Sequence, residues 1–323
     1  EARVPEEIKQ FHASIISRIK IMANLDISER RLPQDGRIKI KIHEDELDLR
    51  ISLLPTAFGE SLVIRLLSPT RLLRLESVGL SESYLIKLRE ILTKPSGIIL
   101  LTGPTGSGKT TTLYACLSEL NDVGRKIITV EDPIEYQLGG IIQMQVHPKI
   151  GLTFAKGLRH MLRHDPDVMM VGEIRDPETS EIAVRSSLTG HLVFSTLHTN
   201  DAVGAIARLI DLGMQPYLVA SSLECVIAQR LVRLLCEKCK RQEGDEFVGV
   251  GCDHCNGTGY FGRTAIAEFF MMDEEMRDVV AQKSATLELR DLALKKGLRL
   301  LKEDGFAKVK AGLTTRKEVL RVT

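Results

Sequence analysis

The chain has 323 residues, of which 43% are hydrophobic, so it is long enough for about two domains with sizeable cores. Its 44 Lys+Arg and 43 Asp+Glu leave a net charge of +1, which excludes a global field that recruits nucleic acid or an anionic membrane. Aromatic residues make up only 4% and tryptophan is absent, so stacking platforms for single-stranded nucleic acid are scarce.

No stretch approaches the roughly 18 to 20 apolar residues of a membrane span, and no signal-peptide pattern is present. We therefore expect a cytoplasmic protein. The chain begins with EARVPEEIKQ and has its first methionine at Met22, so we expect a longer protein upstream.

The first 68 residues predict a small α+β domain. Apolar residues at helical spacing predict a helix near the start, which a Pro- and Gly-containing segment ends. Alternating apolar residues beginning at Ile38, Leu47 and Leu62 then predict three strands joined by turns. We assign residues 1–68 to this partial domain and residues 69–96 to a linker and a helix.

From residue 97 the sequence predicts a parallel sheet flanked by helices. Four apolar runs, GIILLT, KIITV, DVMMVGE and GHLVFSTLH, are typical of strands buried on both faces. Ligands gather beyond the carboxyl ends of such strands. The first run leads into Gly103 and the others end at Glu131, Glu173 and His198, so these positions outline a functional site.

Residues 103–112, GPTGSGKTTT, match the phosphate-binding pattern G-x-x-x-x-G-K-[ST] between a predicted strand and a predicted helix. The glycines let backbone N–H groups surround phosphates, Lys109 reaches the β- and γ-phosphate oxygens, and the Thr110 hydroxyl is a ligand for Mg²⁺. The predicted ATP-binding residues of this loop are Gly103, Pro104, Thr105, Gly106, Ser107, Gly108, Lys109, Thr110 and Thr111.

An ATPase also needs a residue that polarises the attacking water and an acid beside the metal. Gly172 occupies the place where an acid commonly precedes Glu173, so we assign Glu173 to the Mg²⁺ side and Glu131 to the general base. Glu131 ends a strand that we expect beside the P-loop strand. The alternative for Glu131 and Asp132 is to cap the turn before Pro133. The predicted catalytic residues are Glu131, Glu173 and Lys109.

Two histidines and two arginines have both a functional and a structural interpretation. His198, at the carboxyl end of the fourth run, is predicted to sense the γ-phosphate, and His191 either shares that role or is a core histidine. Arg159 and Arg163 stand four apart on one helix face, where solvated surface charge is the alternative.

Three further arginines, Arg37, Arg50 and Arg65, belong to the predicted N-terminal strands. Arg50 shares a strand face with Asp48, so an ion pair between them is one interpretation. A functional role for the three arginines is the other.

Six cysteines fall into two classes. Two C-x₂-C pairs lie twelve residues apart, and four thiolates suit tetrahedral Zn²⁺ better than disulfides in a cytosolic chain. Because protein fills all four positions, the predicted site is structural. Cys116 and Cys225 lie in apolar helical stretches and are expected in the core. The predicted zinc ligands are Cys236, Cys239, Cys252 and Cys255.

The region after the cysteine pairs predicts helices. Thr315 and Glu318 stand in a capping-box arrangement before the last of them. No chemistry is predicted there.

The ordered motifs GPTGSGKTTT, TVEDPIEY, LRHDPDVMMVGEIRD, TGHLVFSTLHTN and the four-cysteine loop make the chain resemble the secretion ATPase superfamily. Within it, the chain is similar to the type II secretion and type IV pilus assembly branch. The resemblance covers nearly the whole chain, including ISRIKIMANLDISERRLPQDGR and QRLVRLLCEKC.

The resemblance implies an α/β fold: a RecA-like P-loop ATPase core over residues 97–323, preceded by a smaller, PAS-like α+β domain. The core includes the zinc insert at 236–255 and a helical C-terminal region. ATP and Mg²⁺ are implied between the two domains. The family arginines that reach the phosphates match Arg37, Arg50 and Arg65.

The resemblance also implies a homo-hexamer that hydrolyses ATP under the inner membrane. Its partners would be membrane platform proteins, and it would power the assembly of a pseudopilus or pilus. No direct binding of nucleic acid is expected. The four-cysteine insert favours assembly over pilus retraction, and LPTAFGESLVIRLL favours type II secretion over type IV pilus extension. A DNA-translocating motor and an inactive scaffold are the alternatives from other functional classes.

Overall fold

The structure is a computed structural model that describes residues 6–42, 45–67, 74–244, 246–282 and 286–323. The chain forms two compact units, Glu1–Arg71 and Leu72–Thr323. The boundary predicted between residues 68 and 69 lies outside the described residues.

The smaller unit is a three-stranded antiparallel sheet whose apolar face packs against a helix. Alternation along the strands puts Ile38, Leu49, Ile51 and Leu53 on that face, where they bury Ile16 of the helix. Its elements, with strand order β1-β2-β3, are α1 (Glu6–Gln10), α2 (His12–Met22), β1 (Gln34–Ile42), β2 (Asp45–Thr56) and β3 (Gly59–Leu67).

The larger unit is built on a seven-stranded sheet, which confirms the predicted α/β class. Its order is β12-β9-β4-β8-β7-β5-β6, and all neighbours are parallel except β12, which runs antiparallel to β9. The strands are β4 (Gly97–Thr102), β5 (Ile127–Glu131), β6 (Ile142–Gln145), β7 (Val168–Val171), β8 (Leu192–Leu197), β9 (Leu223–Leu235) and β12 (Tyr260–Met271).

Helices cover both faces of this sheet, so the central strands are apolar on both sides. Ile98 and Leu100 of β4 enter one core, whereas Ile99 and Leu101 enter the other. None of the helices in the described ranges has both the length and the apolar character to cross a bilayer. The helices are α3 (Glu82–Leu92), α4 (Lys109–Leu120), α5 (Phe154–Met161), α6 (Pro177–Leu188), α7 (Ala202–Asp211), α8 (Pro216–Ser222), α9 (Glu274–Ala281), α10 (Thr286–Lys295), α11 (Leu301–Lys310) and α12 (Arg316–Val322).

Three strands of the sheet, β6, β9 and β12, were not predicted. The β9 sequence LECVIAQRLVRLL has apolar residues that suit a buried helix as well as a strand. It becomes a strand because it pairs with β4 on one side and β12 on the other. A hairpin of β10 (Lys240–Glu243) and β11 (Glu246–Gly249) follows β9.

The C-terminal helix α12 is tied to β9 by a buried carboxylate. Thr315 accepts the backbone N–H of Glu318 at 3.3 Å, which is one half of the predicted capping box. The Glu318 carboxylate does not complete the box; it accepts from the Arg233 guanidinium at 2.6 Å and from Arg321 at 2.9 Å. The hydrogen bond from Arg233 is the main reason that the pKa of Glu318 falls to about 2.

We expect Glu318→Gln to lower the free energy of unfolding by about 2 kcal/mol at pH 7, because it removes charge-assisted hydrogen bonds from a buried group. The folded pKa lies below the unfolded value, so this stabilisation is present above about pH 4.3 and is lost as the pH falls toward 2. Urea unfolding of both proteins from pH 7 to pH 3 measures it.

Glu181→Gln is the matched control, since Glu181 pairs with Arg185 on the exposed face of α6 and its loss should cost less than about 1 kcal/mol. A difference between wild type and Glu318→Gln that stays constant down to pH 3 would contradict the ion-pair interpretation.

Candidate active site

The loop between β4 and α4 has the backbone of a phosphate-binding loop. Gly103, Gly106 and Gly108 all have positive φ, at 144°, 80° and 88°. Only glycine adopts such conformations readily. At Gly103 a Cβ would also lie 2.5 Å from a backbone oxygen of β9, so this position has no room for a side chain.

Lys109 is the first residue of α4, and its ammonium group lies inside the loop. Its Nζ donates to the carbonyl oxygens of Gly103 at 2.7 Å and Pro104 at 3.1 Å. Burial lowers the pKa of Lys109, nearby Arg230 lowers it further, and Glu173 partly offsets both. The ammonium is therefore poorly solvated, and an anion in the loop would favour its charged form.

The other predicted loop residues differ in exposure. Pro104, Thr105 and Gly106 form the exposed tip, Thr110 is half-buried, and Thr111 is exposed. Ser107 is buried, and its Oγ has no hydrogen-bond partner within the described part of the chain.

The carboxyl ends of β7 and β8 bring Glu173 and His198 to the same edge of the sheet as the P-loop. Parallel pairing of β4, β8 and β7 produces this placement. His198 Nε2 lies 3.5 Å from Glu173 Oε2, and the guanidinium of Arg175 lies 2.7 Å from the same oxygen. Glu173 is buried, and its negative charge acts to raise the pKa of Lys109. The structure therefore brings Lys109, Glu173 and His198 together.

Glu131 ends β5, and the expectation that its strand adjoins the P-loop strand is wrong. β8 and β7 lie between β4 and β5. The buried Glu131 carboxylate accepts hydrogen bonds from the hydroxyl of Tyr114 on α4, from Thr129 at 2.6 Å and from Gln143 at 3.0 Å. Burial is the main cause that raises the pKa of Tyr114, so this phenol stays a donor.

His191 lies at the opposite edge of the sheet. It precedes β8, so it is about 20 Å from the carboxyl end of that strand. Its Nδ1 donates to the Ser186 carbonyl at 2.9 Å, at the end of α6. His191 is therefore half-buried and lies away from the P-loop. Arg159 contacts Glu178 at 2.6 Å, and both side chains are exposed.

In the smaller unit, Arg37, Arg50 and Arg65 form a row across the three strands. Arg37 pairs with Arg50 in the β1–β2 register, and Arg50 pairs with Arg65 in the β2–β3 register. Like charges directly opposite each other destabilise a sheet. Asp48 lies on the same strand face as Arg50, and its buried Oδ1 has no hydrogen-bond partner within the described residues.

The four predicted zinc ligands converge. Their sulfur atoms lie within 4.8 Å of one another, and the Cys236–Cys252 and Cys239–Cys255 pairs are each 3.8 Å apart. A tetrahedron with Zn–S bonds of about 2.3 Å has sulfur atoms about 3.8 Å apart, so the donor set fits Zn²⁺. By contrast, Cys116 and Cys225 are fully buried in the core, as predicted, but Cys225 lies on strand β9 and not on a helix.

Backbone N–H groups around Cys255 favour its thiolate form. Burial favours the neutral form of Cys255, but the N–H groups of Cys252 and Gly259 each donate to its sulfur at 3.2 Å. The net effect lowers the pKa of Cys255 to about 6. The backbone beside the cluster leaves no room for a side chain at Gly249, since a Cβ there would lie 2.0 Å from the Gly259 carbonyl oxygen.

Comparison with known proteins identifies the family. Residues 2–321 match the family model described as Type II/IV secretion system protein. The chain belongs to this family. It is 53% identical over 316 residues to the Type II secretion system protein HxcR of Pseudomonas aeruginosa, covering 98% of this chain and 67% of that protein. It is 47% identical over 338 residues to the Type II secretion system ATPase E of Vibrio cholerae, covering 98% and 66%.

Solved structures of the same architecture agree. The pilus retraction motor PilT with bound ADP superposes with a TM-score of 0.71 at 28% identity, covering 91% of this chain and 78% of that one. The ATPase DotB of Legionella pneumophila gives a TM-score of 0.69 at 25% identity, covering 90% and 77%. The chain is thus a secretion ATPase, and it spans about two thirds of the length of its curated relatives.

Sequence reasoning missed a residue that supports the P-loop of this secretion ATPase. Gln229, on β9, is fully buried. Its Nε2 donates to the Ser107 carbonyl at 2.8 Å, and its Oε1 accepts from the Thr112 hydroxyl at 2.8 Å. A polar side chain inside the apolar run CVIAQRLV was the available signal, because a buried amide needs partners.

Proposed function

We propose that this chain is the motor part of a type II secretion machine, in which ATP hydrolysis drives assembly of a pseudopilus. The observation that carries the proposal is the grouping of Lys109, Glu173 and His198 at the carboxyl edge of the sheet, beside a P-loop. The curated relatives at about 50% identity, all named for type II secretion, support the machine.

The loop residues and the acids have separate tasks. Thr110 and Glu173 would hold Mg²⁺. The ion would act as a Lewis acid and neutralise phosphate charge. Lys109 exchanges its carbonyl partners in the loop for phosphate oxygens. His198 lies beside Glu173 and contacts the terminal phosphate. It loses this contact when the phosphate leaves.

Glu131 remains our proposed general base. Its carboxylate already accepts three hydrogen bonds, so these donors orient it and leave little capacity for a water. Release of the Tyr114 hydroxyl would free one oxygen for proton transfer. Since Tyr114 lies on the helix that follows the P-loop, the two groups are on directly connected elements.

The arginine row is proposed to bind nucleotide phosphates. The strand register places the three arginines in one row, and guanidinium groups bind phosphate oxygens with charge-assisted hydrogen bonds. We further propose a homo-hexamer that is cytoplasmic and peripheral on the inner membrane, bound to platform proteins. Type IV pilus assembly is the alternative function, and a DNA-translocating motor is less favoured.

We expect Glu131→Gln to bind ATP with nearly normal affinity but to lower turnover by about 10²-fold or more, since the amide cannot accept a proton. Titration with ATP and steady-state phosphate release measure the two quantities. Normal turnover in Glu131→Gln would remove Glu131 from the role of general base.

The same substitution tests the machine. Cells that lack the wild type and produce the full-length Glu131→Gln protein should not export type II secretion substrates. Their type IV pili should be unchanged. Loss of pili with normal export would instead support the pilus assembly function.

We expect Arg50→Ala to lower ATPase activity by about tenfold and to change the midpoint of thermal unfolding little. Asp48→Asn is the matched comparison on the same strand face. If Arg50 acts only through an ion pair with Asp48, both variants should lose less than about 1 kcal/mol of stability and keep full turnover.

We propose one structural Zn²⁺ per chain, held by Cys236, Cys239, Cys252 and Cys255. Elemental analysis of metal-replete protein should show about one zinc per chain. Cys252→Ser with Cys255→Ser should abolish it and raise amide exchange over residues 236–262, because the enclosed hairpin buries few apolar side chains.

Nucleotide affinity should survive in that double variant, since four sulfur ligands leave no open position for catalysis. Cys116→Ser is the control for cysteine removal. Metal-replete wild type without zinc, or a disulfide within either pair under reducing conditions, would contradict the site.

A further inference from the structure

The guanidinium of Arg230 lies against the first glycine of the P-loop. β9 runs parallel to β4 and carries Arg230 beside the loop. A Cβ at Gly103 would lie 3.0 Å from its NH1 nitrogen. The side chain donates to the carbonyl oxygens of Gln229 at 3.2 Å and Asn200 at 3.0 Å. Arg230 therefore touches both the P-loop and the loop that follows His198.

This charge is buried with neutral partners. Arg230 is 9% exposed, and in the described ranges no carboxylate lies within ion-pair distance of it. Two of its five N–H groups donate to carbonyls. Asp201 and Glu268 favour the charged form of Arg230 without forming an ion pair with it, and Asp201 pairs with Arg290. A buried cation without an anion at contact distance is costly, so structural bracing alone accounts poorly for it.

Two further polar groups lie at this point. Lys109 is a second buried cation close to Arg230, so the two repel each other. The hydroxyl of Ser107 lies 2.8 Å from the same Cβ position at Gly103 and has no hydrogen-bond partner within the described residues. Two cations and an unpaired hydroxyl around one loop match the oxygens of a polyphosphate.

We propose that Arg230 is a second phosphate-binding cation of the P-loop, which contacts the polyphosphate of ADP and ATP alongside Lys109. The inference rests on the proposed ATP site at this loop. The planar guanidinium can donate to two phosphate oxygens at once, whereas a lysine at this position would act as a single point charge. Contact with Asn200 also places Arg230 between the nucleotide and the loop that carries His198.

The test compares R230Q, R230K and R185Q in the full chain. Affinities for ATP, ADP and AMP are measured by titration, and thermal unfolding is followed with and without each nucleotide. We expect R230Q to weaken ATP and ADP binding by about tenfold or more and AMP binding by less than about twofold. Without nucleotide, R230Q should melt no lower than wild type, because removing an unpaired buried charge relieves its desolvation.

R230K keeps the charge but loses the planar guanidinium, so its ADP and ATP affinities should fall between those of R230Q and wild type. R185Q, which changes an exposed arginine of α6, should match wild type throughout. A lower melting temperature with full nucleotide-induced stabilisation would overturn the proposal in favour of a purely structural arginine. Equal losses for AMP, ADP and ATP would also overturn it.

Failure of the proposed function gives a different result. Wild-type protein that binds no ATP would overturn the ATP site, and the inference with it. Wild type that binds ATP while R230Q and R230K bind equally well would overturn the inference alone.

Discussion

The site depends on parallel pairing of β4 with β8 and of β8 with β7. Because parallel strands end at the same edge of a sheet, this pairing puts the P-loop, His198 and Glu173 together. Thr102 reinforces the arrangement at the end of β4, where its hydroxyl lies 2.7 Å from that of Thr199 and accepts the Thr199 N–H at 2.8 Å. The loop that carries His198 is therefore fixed to the P-loop strand.

Buried polar groups define this edge more sharply than the apolar core does. The two cores specify that the strands stack between helices, but many aliphatic combinations would fill them. A buried amide such as Gln229 is more demanding, because each of its atoms needs a partner in the right place. Glu131, with three donors, is equally constrained. These contacts hold the P-loop and the proposed base in fixed geometries.

The C-terminal part of the larger unit extends the same sheet. β9 places Gln229 and Arg230 beside the P-loop and Arg233 beside helix α12, and it leads into the first cysteine pair. Leu235, near its end, donates its backbone N–H to the Leu313 carbonyl at 2.8 Å. One strand thus connects the P-loop, the cysteine cluster and the last helices.

The sequence by itself determined the features that depend on local pattern. A P-loop needs glycines at fixed spacing, a metal cluster needs paired cysteines, and a doubly covered strand needs a continuous apolar run, so the loop, the cysteine set and β4, β5, β7 and β8 were all predictable. Tertiary structure decided the strand order, which separates Glu131 from the P-loop strand by two strands. It also decided that β9 is a strand, and that Gln229 and Arg230 lie at the nucleotide loop. These outcomes depend on which distant strands pair, and strand pairing is set by burial across the whole sheet rather than by neighbouring residues.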